Sequence, residues 1–467
     1  DYGPNTTATC GSGVCANAGC APDHADCNLW EGDGCEVDLT TGQSCVCTPG
    51  ETRPCYDGDP STINVPGAPC AEGLESCSSS GTSWSGACVG QVLPTPETIS
   101  AGTCSNGIDD DCSGAIDDGV DEDGDGWTTC QGDCCDSTAQ ACSDPEKVNP
   151  GAFDWVDPAG IEPPYDDDCD GVADNPVPTD CSTVFDITSV TANDLAGAMD
   201  LCKFTTEGSG EWGVISAQLL RADGSTPEPV NIQVGVLNSF GTNVTPRGNA
   251  TTAVLSSGTA RDQDGDGDDT GYVFPDGAGH EDASNEVSAP PDYLAANGGQ
   301  LQTVAGCPAG DPTVNDSVQL RLRIRVPTNA QGFSFNFKFY SSEYPEWVCD
   351  SYNDFFLAML YTSAPGIPAD HNISFDAQGN PVSVNNAFFE VCSGCANGTA
   401  ELVATGYPET DAGGTSWLMT SAPVIPGEII ELQFHIWDTG DHAWDSLVLI
   451  DNFTWSLDPT SVVTVEE

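Results

Sequence analysis

Twenty-four cysteines lie unevenly along this chain of 467 residues, and their spacing divides it into three regions. Eleven fall within residues 1–88, seven within 104–169 and six within 181–395. So many cysteines in so long a chain are typical of proteins that fold in an oxidising compartment, where disulfides persist. We therefore expect a secreted protein, extracellular or at the cell surface, whose signal peptide has been removed ahead of Asp1.

The first region, 1–90, has few aliphatic residues between its cysteines and is predicted to be a disulfide-stapled, loop-rich segment. Zinc is the weaker explanation, because no two of these cysteines have CxxC spacing. Because eleven and seven are odd numbers, complete pairing requires at least one disulfide between the first two regions. A bond from Cys104 back into the first region would supply it.

The third region, 181–467, alternates apolar and polar residues in many short runs, which predicts β-strands. Residues 318–326 (VQLRLRIRV) and 333–340 (FSFNFKFY) alternate without interruption and are predicted to form a long hairpin with one apolar face. The only helix expected covers 191–202, capped by Thr191 or Asn193. The fold class is therefore mostly β, a jelly-roll-like β-sandwich behind an irregular N-terminal part. Further strands are expected at 212–220, 230–237, 272–274, 355–361, 387–392, 400–404, 416–420, 428–437, 446–450 and 452–457.

The chain is strongly acidic, with 73 Asp and Glu against 10 Lys and Arg and a formal net charge of −63. Such a chain is repelled by phosphate backbones and anionic lipid, which argues against nucleic-acid partners. No apolar run reaches the roughly 18 residues of a spanning helix, so membrane insertion is not expected. Bound cations are one explanation of the acidity, and the acidic surface of a halophile is the other.

The second region, 103–175, repeats one acidic loop frame, and a fourth copy lies inside the third region. The frame has oxygen-bearing residues at positions 1, 3 and 5, Gly at 6, a backbone carbonyl at 7 and often an oxygen at 9, which is the order found in calcium loops. A solvated acidic run is the alternative, but the glycine in register favours Ca²⁺ at several sites. The predicted ligands are Asp109, Asp111, Ser113, Ala115 and Asp117; Asp121, Asp123, Asp125 and Trp127, completed by Asp133; Asp166, Asp168, Asp170, Val172 and Asp174; and Asp262, Asp264, Asp266 and Asp268.

A further acidic group is predicted at the ends of strands in the third region. Its members are Glu343, Asp354, Asp438, Asp441 and Asp445. If the strands 333–340 and 446–450 are neighbours, these carboxylates converge at one edge of the sandwich and form another calcium site. The alternative is that they cap turns, as Asp residues commonly do.

Two known families resemble parts of this sequence. Residues 104–171, with CSNGIDDDCSGAIDDGVDEDGDGW and DDDCDG, resemble the MopE-type metal-binding repeat of secreted bacterial proteins, which is akin to thrombospondin type-3 calcium loops. Upstream, DCNLWEGDGCEVDL is similar to Cys-rich segments of myxobacterial-type surface proteins. This resemblance implies calcium binding outside the cell.

The third region resembles the choice-of-anchor L domain. The residues that carry the likeness are FKFYSSEYPEWVCDSYNDFFLAML (337–360), PVSVNN (381–386) and IWDTGDHAWDSLVLIDNFTW (436–455), with AVLSSGTA at 253–260. It covers most of 190–457 and implies an extracellular, non-catalytic β domain of surface proteins. Many members carry a C-terminal sorting signal; the residues SVVTVEE depart from that pattern, so the resemblance leaves open how the protein is held outside the cell.

No catalytic motif is present: GxSxG, HExxH, a P-loop and a dinucleotide fingerprint are all missing from the sequence. The CxxC pair Cys392–Cys395 is predicted to be a structural disulfide. Arg321, Arg323 and Arg325 share one strand face, which is either a solvated edge or a basic stripe that docks a neighbouring copy.

The sequence therefore predicts a non-catalytic secreted structural protein, stabilised by calcium and disulfides, that forms homo-oligomers or polymers as a filament, sheath or surface layer. A monomeric adhesin or glycan-binding module with glycan or cell-surface contacts is the alternative, with Trp347, Trp437 and Trp444 as its platform. An extracellular metal-scavenging protein is the second alternative.

Overall fold

The computed structural model describes residues 3–30, 34–35, 37–138, 142, 144–154, 165–173, 190–226, 229, 231–260, 286–385 and 388–467. The predicted loop at 262–270, Asp174 and the predicted strand 272–274 lie outside these ranges. The chain divides into two compact units, Asp1–Ala141 and Cys142–Glu467. Within the described ranges, no helix has the length and apolarity needed to cross a lipid bilayer.

The first unit contains three two-stranded antiparallel sheets, which pair β1 with β2, β3 with β4 and β5 with β6. These strands are β1 (Thr6–Gly11), β2 (Val14–Cys20), β3 (His24–Ala25), β4 (Val37–Asp38), β5 (Thr52–Cys55) and β6 (Gly73–Ser76), with 3-10 turns at Leu39–Thr41 and Pro60–Thr62. Among its described residues, Val37 is the only buried hydrophobic side chain that is not a cysteine. The expected shortage of apolar core in this region is confirmed.

Disulfides replace the missing core in the first unit. Seven are described: Cys10–Cys15, Cys20–Cys35, Cys27–Cys45, Cys47–Cys77, Cys55–Cys88, Cys70–Cys112 and Cys104–Cys130. The Cys70–Cys112 bond joins the first predicted region to the second, as the odd cysteine counts require. The suggested bond from Cys104 into the first region is wrong, because Cys104 pairs forward with Cys130.

The described residues of the second unit include strands β7 to β20 and two short α-helices. They are α1 (Ala192–Ala198), β7 (Gly213–Leu220), β8 (Val234–Leu237), β9 (Thr252–Ser256), β10 (Val287–Ser288), α2 (Pro291–Ala296), β11 (Thr313–Arg325), β12 (Gly332–Ser341), β13 (Phe355–Tyr361), β14 (Val382–Ser383), β15 (Phe389–Cys392), β16 (Gly413–Thr415), β17 (Leu418–Pro423), β18 (Ile429–Thr439), β19 (Ser446–Ser456) and β20 (Val463–Glu466). Thr191 caps α1 and forms a capping box with Asp194, as its position before the helix predicts. The Cys392–Cys395 disulfide is confirmed, and a second bond joins Cys307 to Cys349.

The strands of the second unit form two large sheets in a sandwich-like arrangement, which confirms the predicted mostly-β class. One sheet has six strands in the order β10-β11-β18-β13-β14, with β7 also paired to β11. The other has eight strands in the order β15-β16-β12-β19-β9-β8, with β17 paired to both β12 and β20. Their facing apolar rows make the core, in which Phe335 of β12 meets Phe434 of β18 edge-to-face at 5.1 Å.

The predicted hairpin of 318–326 with 333–340 is wrong, because β11 and β12 lie in different sheets. β11 pairs with β7 and β18, whereas β12 pairs with β16, β17 and β19. The connection between these strands, residues 326–331, crosses from one sheet to the other. The apolar rows of the two strands therefore face each other across the core. Alternation shows which residues share a face, but it does not identify the sheet to which that face belongs.

Two smaller predictions also differ from the structure. The expected strand 400–404 is a 3-10 turn, Ala400–Leu402. The expected strands 446–450 and 452–457 are one strand, β19, which continues through a register irregularity near Asn452, a residue with φ of +52°. A bulge keeps a strand continuous where the alternation breaks, so the sequence pattern alone suggests two strands.

The arginines of β11 are not at a sheet edge, since this strand is paired on both sides. Arg323 forms an ion pair with Glu207, and Arg321 lies 3.6 Å from a carboxylate oxygen of Glu431. Arg325 donates to the main-chain oxygens of Glu207 and Gly427. The basic stripe is therefore partly neutralised within its own unit.

Candidate metal centres

Three predicted loops share one hydrogen-bond pattern that is built around the glycine at position 6. The position-1 carboxylates of Asp109, Asp121 and Asp166 each accept a hydrogen bond from the N–H of that glycine, at 3.0, 3.3 and 2.9 Å. The three glycines have φ between +90° and +102°, a conformation that favours glycine over residues with a side chain. The predicted role of glycine at position 6 is confirmed.

In the first loop, the carboxylates that converge are only partly those predicted. Glu97, Asp111 and Asp118 bring oxygens within 4.8 Å of one another. The carboxylate of Asp117 instead accepts hydrogen bonds from the N–H groups of Asn106 and Gly107. Ser113 donates its hydroxyl to Asp118 at 3.4 Å and accepts a hydrogen bond from the N–H of Ala115 at 3.3 Å. The main-chain carbonyl of Ala115, which is its predicted ligand atom, stays a prediction.

Glu97 lies in a segment that the sequence placed between two domains. It is fully buried, and its carboxylate accepts hydrogen bonds from the N–H groups of Asp110, Asp117 and Gly119. Burial opposes its charged form, but the donors at Gly119 and Asp110 outweigh burial, so the pKa of Glu97 lies below its ordinary value. A charged carboxylate is thus fixed beside the first loop.

The second loop contributes to two overlapping groups of carboxylates. Asp121, Asp123 and Asp125 bring oxygens within 4.8 Å of one another, and Asp123 also converges with Asp133 and Asp136. Asp133 therefore lies beside the loop, where the sequence predicted it, whereas Asp136 was missed. The main-chain N–H of Trp127 donates to Asp125 at 2.7 Å, which closes the turn.

The junction of these two groups contains carboxylate oxygens that no protein donor satisfies. One oxygen each of Asp123 and Asp133 is buried and has no hydrogen-bond partner among the described residues. Burial, followed by the charges of Asp125, Asp123 and Asp136, raises the pKa of Asp133 to about 6. Buried oxygen ligands without donors are suited to a hard cation such as Ca²⁺.

The third loop repeats the arrangement in the second unit. Asp166, Asp168 and Asp170 bring oxygens within 4.8 Å of one another. The N–H of Val172 donates to Asp170 at 2.7 Å, just as Trp127 donates in the second loop. Burial, then the charge of Asp170, raises the pKa of Asp168 to about 6.

A fourth acidic group closes one end of the sandwich core. Along β18, the core-facing residues Ile430, Leu432, Phe434 and Ile436 are followed, two residues later, by Asp438. The core-facing side chains of four neighbouring strands, β11, β12, β13 and β19, also change from apolar to polar at this end of the sandwich. The polar residues are Asp316 on β11, Ser341 and Glu343 at the end of β12, Asp354 before β13, and Asp445 with Ser446 at the start of β19.

Hydrogen bonds connect this end of the core across the two sheets. Asp354 is fully buried, and its carboxylate accepts from the N–H of Thr439 at 3.1 Å and from the hydroxyl of Ser446 at 2.7 Å. The N–H of Asp354 donates to Glu343 at 3.4 Å. These contacts join the β13 and β18 edge of one sheet to the β12 and β19 edge of the other.

The predicted carboxylates of this group come together, and the structure adds Asp316, which sequence reasoning missed. Asp316 lies in a bulge of β11 with φ of +47°, and its carboxylate is 2.6 Å from Nδ1 of His442. Its position two residues before Val318 continues the alternation of β11, which was the available sequence signal. Asp441 is half-buried in the loop after β18 and accepts a hydrogen bond from the N–H of Ala443.

The buried carboxyls disfavour one another's charge. Burial, followed by repulsion from nearby carboxylates, raises the pKa of Asp445 to about 8 and that of Asp438 well above its ordinary value. Burial is also the main cause that raises the pKa of Asp354, to about 7, and of Glu343. At neutral pH this end of the core therefore favours protons or bound cations that neutralise the negative charge of these carboxyls.

The tryptophans proposed as a glycan platform do not form one. Trp437 is fully buried and stacks on Phe355 at 5.5 Å. Trp347 is half-buried and packs edge-on against Tyr352, and Trp444 is half-buried in the loop before β19. The alternation of β18 places Trp437 on the face of the sheet opposite to Asp438, beneath other side chains.

His435 gives a pH-dependent prediction, because burial and then repulsion by Arg321 lower its pKa to about 3. The unfolded value is about 6.5, so the native state binds fewer protons and loses stability as pH falls below 6.5. Between pH 7 and pH 5 this loss is about 2 kcal/mol. His435→Gln should remove this part of the decrease in the free energy of unfolding between pH 7 and pH 5. The free energy is measured by urea unfolding, with tryptophan fluorescence as the signal. An unchanged loss in the variant would contradict a neutral buried imidazole.

Comparisons with known proteins identify one region of the chain. A model of the family described as the Choice-of-anchor L domain matches residues 248–455. This supports the resemblance stated for the third region and indicates a cell-surface or extracellular protein, since the matched domain is a surface-anchoring one. None of the curated proteins matches the chain, and none of the solved structures does.

Proposed function

We propose that this chain is a non-catalytic structural protein of the cell surface whose folded state depends on bound calcium. The observation that carries the proposal is the double group around Asp123, where carboxylates converge and two buried oxygens lack donors. The loops at 109–117 and 166–174 support it through the same glycine-centred hydrogen bonds. The surface location follows from the family match.

Calcium is the metal that this chemistry favours. The converging groups consist of Asp and Glu only, and they contain no His or Cys. All-oxygen sites with six to eight ligands are typical of Ca²⁺, whereas copper, iron and zinc favour nitrogen or sulfur. The same donor set argues against a protein that scavenges copper.

We further propose that the chain assembles into a filament, sheath or surface layer. Two features support assembly by strand pairing. The hairpin β1–β2 is exposed along nearly its whole length. In the second unit, β20 pairs only with β17 among the described strands, and it leaves Val463 and Val465 about 40% exposed. An exposed strand edge is a template for another chain.

Negative-stain electron microscopy tests the assembly. The purified chain should form polymers in millimolar CaCl₂ that dissolve in EDTA and return when Ca²⁺ is restored. Deletion of residues 461–467, which removes β20, should abolish them without unfolding the second unit. A monodisperse monomer with and without calcium would contradict the structural role.

A glycan-binding function is the second candidate, favoured by a cavity of about 270 Å³ in the second unit. Aromatic rings and short polar side chains line it together, which is a combination suited to a sugar. The rings belong to Trp212, Phe453 and Trp455, and Asp200 and Asn249 are among the polar side chains. Saccharide titrations that quench tryptophan fluorescence in the monomer, and not in Trp455→Ala, would favour this function over assembly.

A further inference from the structure

We propose that the acidic end of the sandwich core binds a divalent cation of the calcium class, which fastens the two sheets together. The sandwich-end cluster comprises Asp316, Glu343, Asp354, Asp438 and Asp445. It lies in the second unit and uses none of the loop residues. It can therefore be present or absent independently of the calcium sites proposed for the loops.

Asp438 is the residue that points to a ligand. It is 1% exposed, and neither of its carboxylate oxygens meets a donor with hydrogen-bond geometry among the described residues, although the hydroxyl of Ser257 lies nearby. Its place after Ile436 in the core-facing row aims the carboxylate between the sheets, toward the other members of the cluster. A buried charged carboxylate without a partner is strongly unfavourable, so this position favours either a proton or a bound cation.

Within the described ranges, little positive charge approaches Glu343, Asp354, Asp438 and Asp445. His442 contacts the fifth member of the cluster, Asp316. No lysine or arginine in the described part of the chain pairs with Glu343, Asp354, Asp438 or Asp445. The remaining donors are the hydroxyl of Ser446 and the main-chain N–H groups of Thr439 and Asp354, with the hydroxyl of Ser257 near Asp438. None of these donors carries a positive charge that could balance four carboxylates.

A glycine next to the cluster, Gly258, leaves the space that the carboxylate of Asp445 occupies. A Cβ at Gly258 would lie 1.8 Å from a carboxylate oxygen of Asp445, so only glycine admits Asp445 at this point. Gly258 follows β9, and Asp445 precedes β19, the neighbour of β9. Asp445 and Glu343 come from the eight-stranded sheet, whereas Asp316, Asp354 and Asp438 come from the other.

The ligand set and its spread favour Ca²⁺ over smaller ions. All five members offer oxygen, and calcium tolerates irregular sites of six to eight oxygens, whereas Mg²⁺ requires near-ideal octahedral geometry. No three of these residues bring oxygens within 4.8 Å, as the loop carboxylates do among the described residues. Binding would draw the carboxylates, and with them the sheet ends, closer together.

Isothermal titration of the full chain with CaCl₂, after stripping with EDTA and dialysis, tests the proposal. Asp438→Asn should bind one Ca²⁺ fewer than the wild type. Asp451→Asn is the matched control, since Asp451 is also a fully buried carboxyl of this unit but accepts from the N–H of Arg247. The control should keep the wild-type stoichiometry. An unchanged number and affinity of sites in Asp438→Asn would overturn the proposal.

A second variant separates loss of the site from loss of the fold. If circular dichroism shows that Asp438→Asn is unfolded, Glu343→Gln replaces it, with the same two outcomes. Asp123→Asn/Asp133→Asn, which alters only the second loop, should lower the stoichiometry independently of Asp438→Asn. Failure of the loop variant to change binding would count against the proposed function, and failure of Asp438→Asn against this site alone.

Discussion

The double variant Asp123→Asn/Asp133→Asn should lose most of the calcium-dependent stabilisation of the first unit. At calcium concentrations a hundredfold above Kd, one site contributes about 2.7 kcal/mol to the free energy of unfolding. With calcium the wild type should be the more stable protein, whereas without calcium the variant should have the larger free energy of unfolding. Its amides remove the buried charge and the repulsion from neighbouring carboxylates, since burial first and this repulsion second raise the pKa of Asp133.

Hydrogen exchange read by mass spectrometry over residues 97–136 measures this effect locally. The control is Asp57→Asn/Asp110→Asn, which changes the net charge equally but alters no carboxylate of the converging groups. The control should respond to calcium as the wild type does. Equal calcium protection in the loop variant and the wild type would refute the assignment of this site.

The second large effect is expected from the double variant Cys70→Ser/Cys112→Ser. The bond spans a separation of 42 residues, and loop-closure entropy for a ring of this size corresponds to about 4 kcal/mol. Cys112 also lies within the first loop, between Asp111 and Ser113, so its release should loosen the group formed with Glu97. The loss is measured by guanidinium unfolding of the first unit with the other disulfides intact.

Cys10→Ser/Cys15→Ser is the control, because that bond spans only five residues in the exposed hairpin β1–β2. The same entropy relation gives about 2 kcal/mol for it, half of the larger effect. The ratio of the two losses is therefore the quantity to compare. A larger loss for the short ring would indicate that strain or residual structure, rather than chain entropy, sets the stability of this unit.

Alternation in the sequence was sufficient to locate the long strands, but not to assemble them. Residues 318–326 and 333–340 are strands as predicted, yet they lie in opposite sheets because both apolar faces cover the same core. The glycine at position 6 was predictable, since the loop frame needs a positive φ there. These are local properties, which sequence spacing encodes directly.

The carboxylates contributed from outside a loop frame could not be predicted. Glu97 precedes the first loop by twelve residues, and Asp136 follows the second by about ten; neither has a fixed spacing to the frame. Tertiary contacts, held by disulfides, decide which carboxylates approach a loop. Asp316 is a different case: alternation with Val318 indicates its face, but the bulge in β11 shifts the register, so that Asn315 and not Asp316 pairs with Asp438.

The near absence of apolar core in the first unit bears on how the chain leaves the cell. Among the residues of this unit that the structure describes, the buried hydrophobic side chains apart from Val37 are cysteines, whose bonds do not persist in a reducing cytosol. Before export this first unit has little apolar surface with which to collapse, so it can pass through a translocation channel without prior unfolding. Folding is thereby timed by the change of compartment rather than by the end of synthesis.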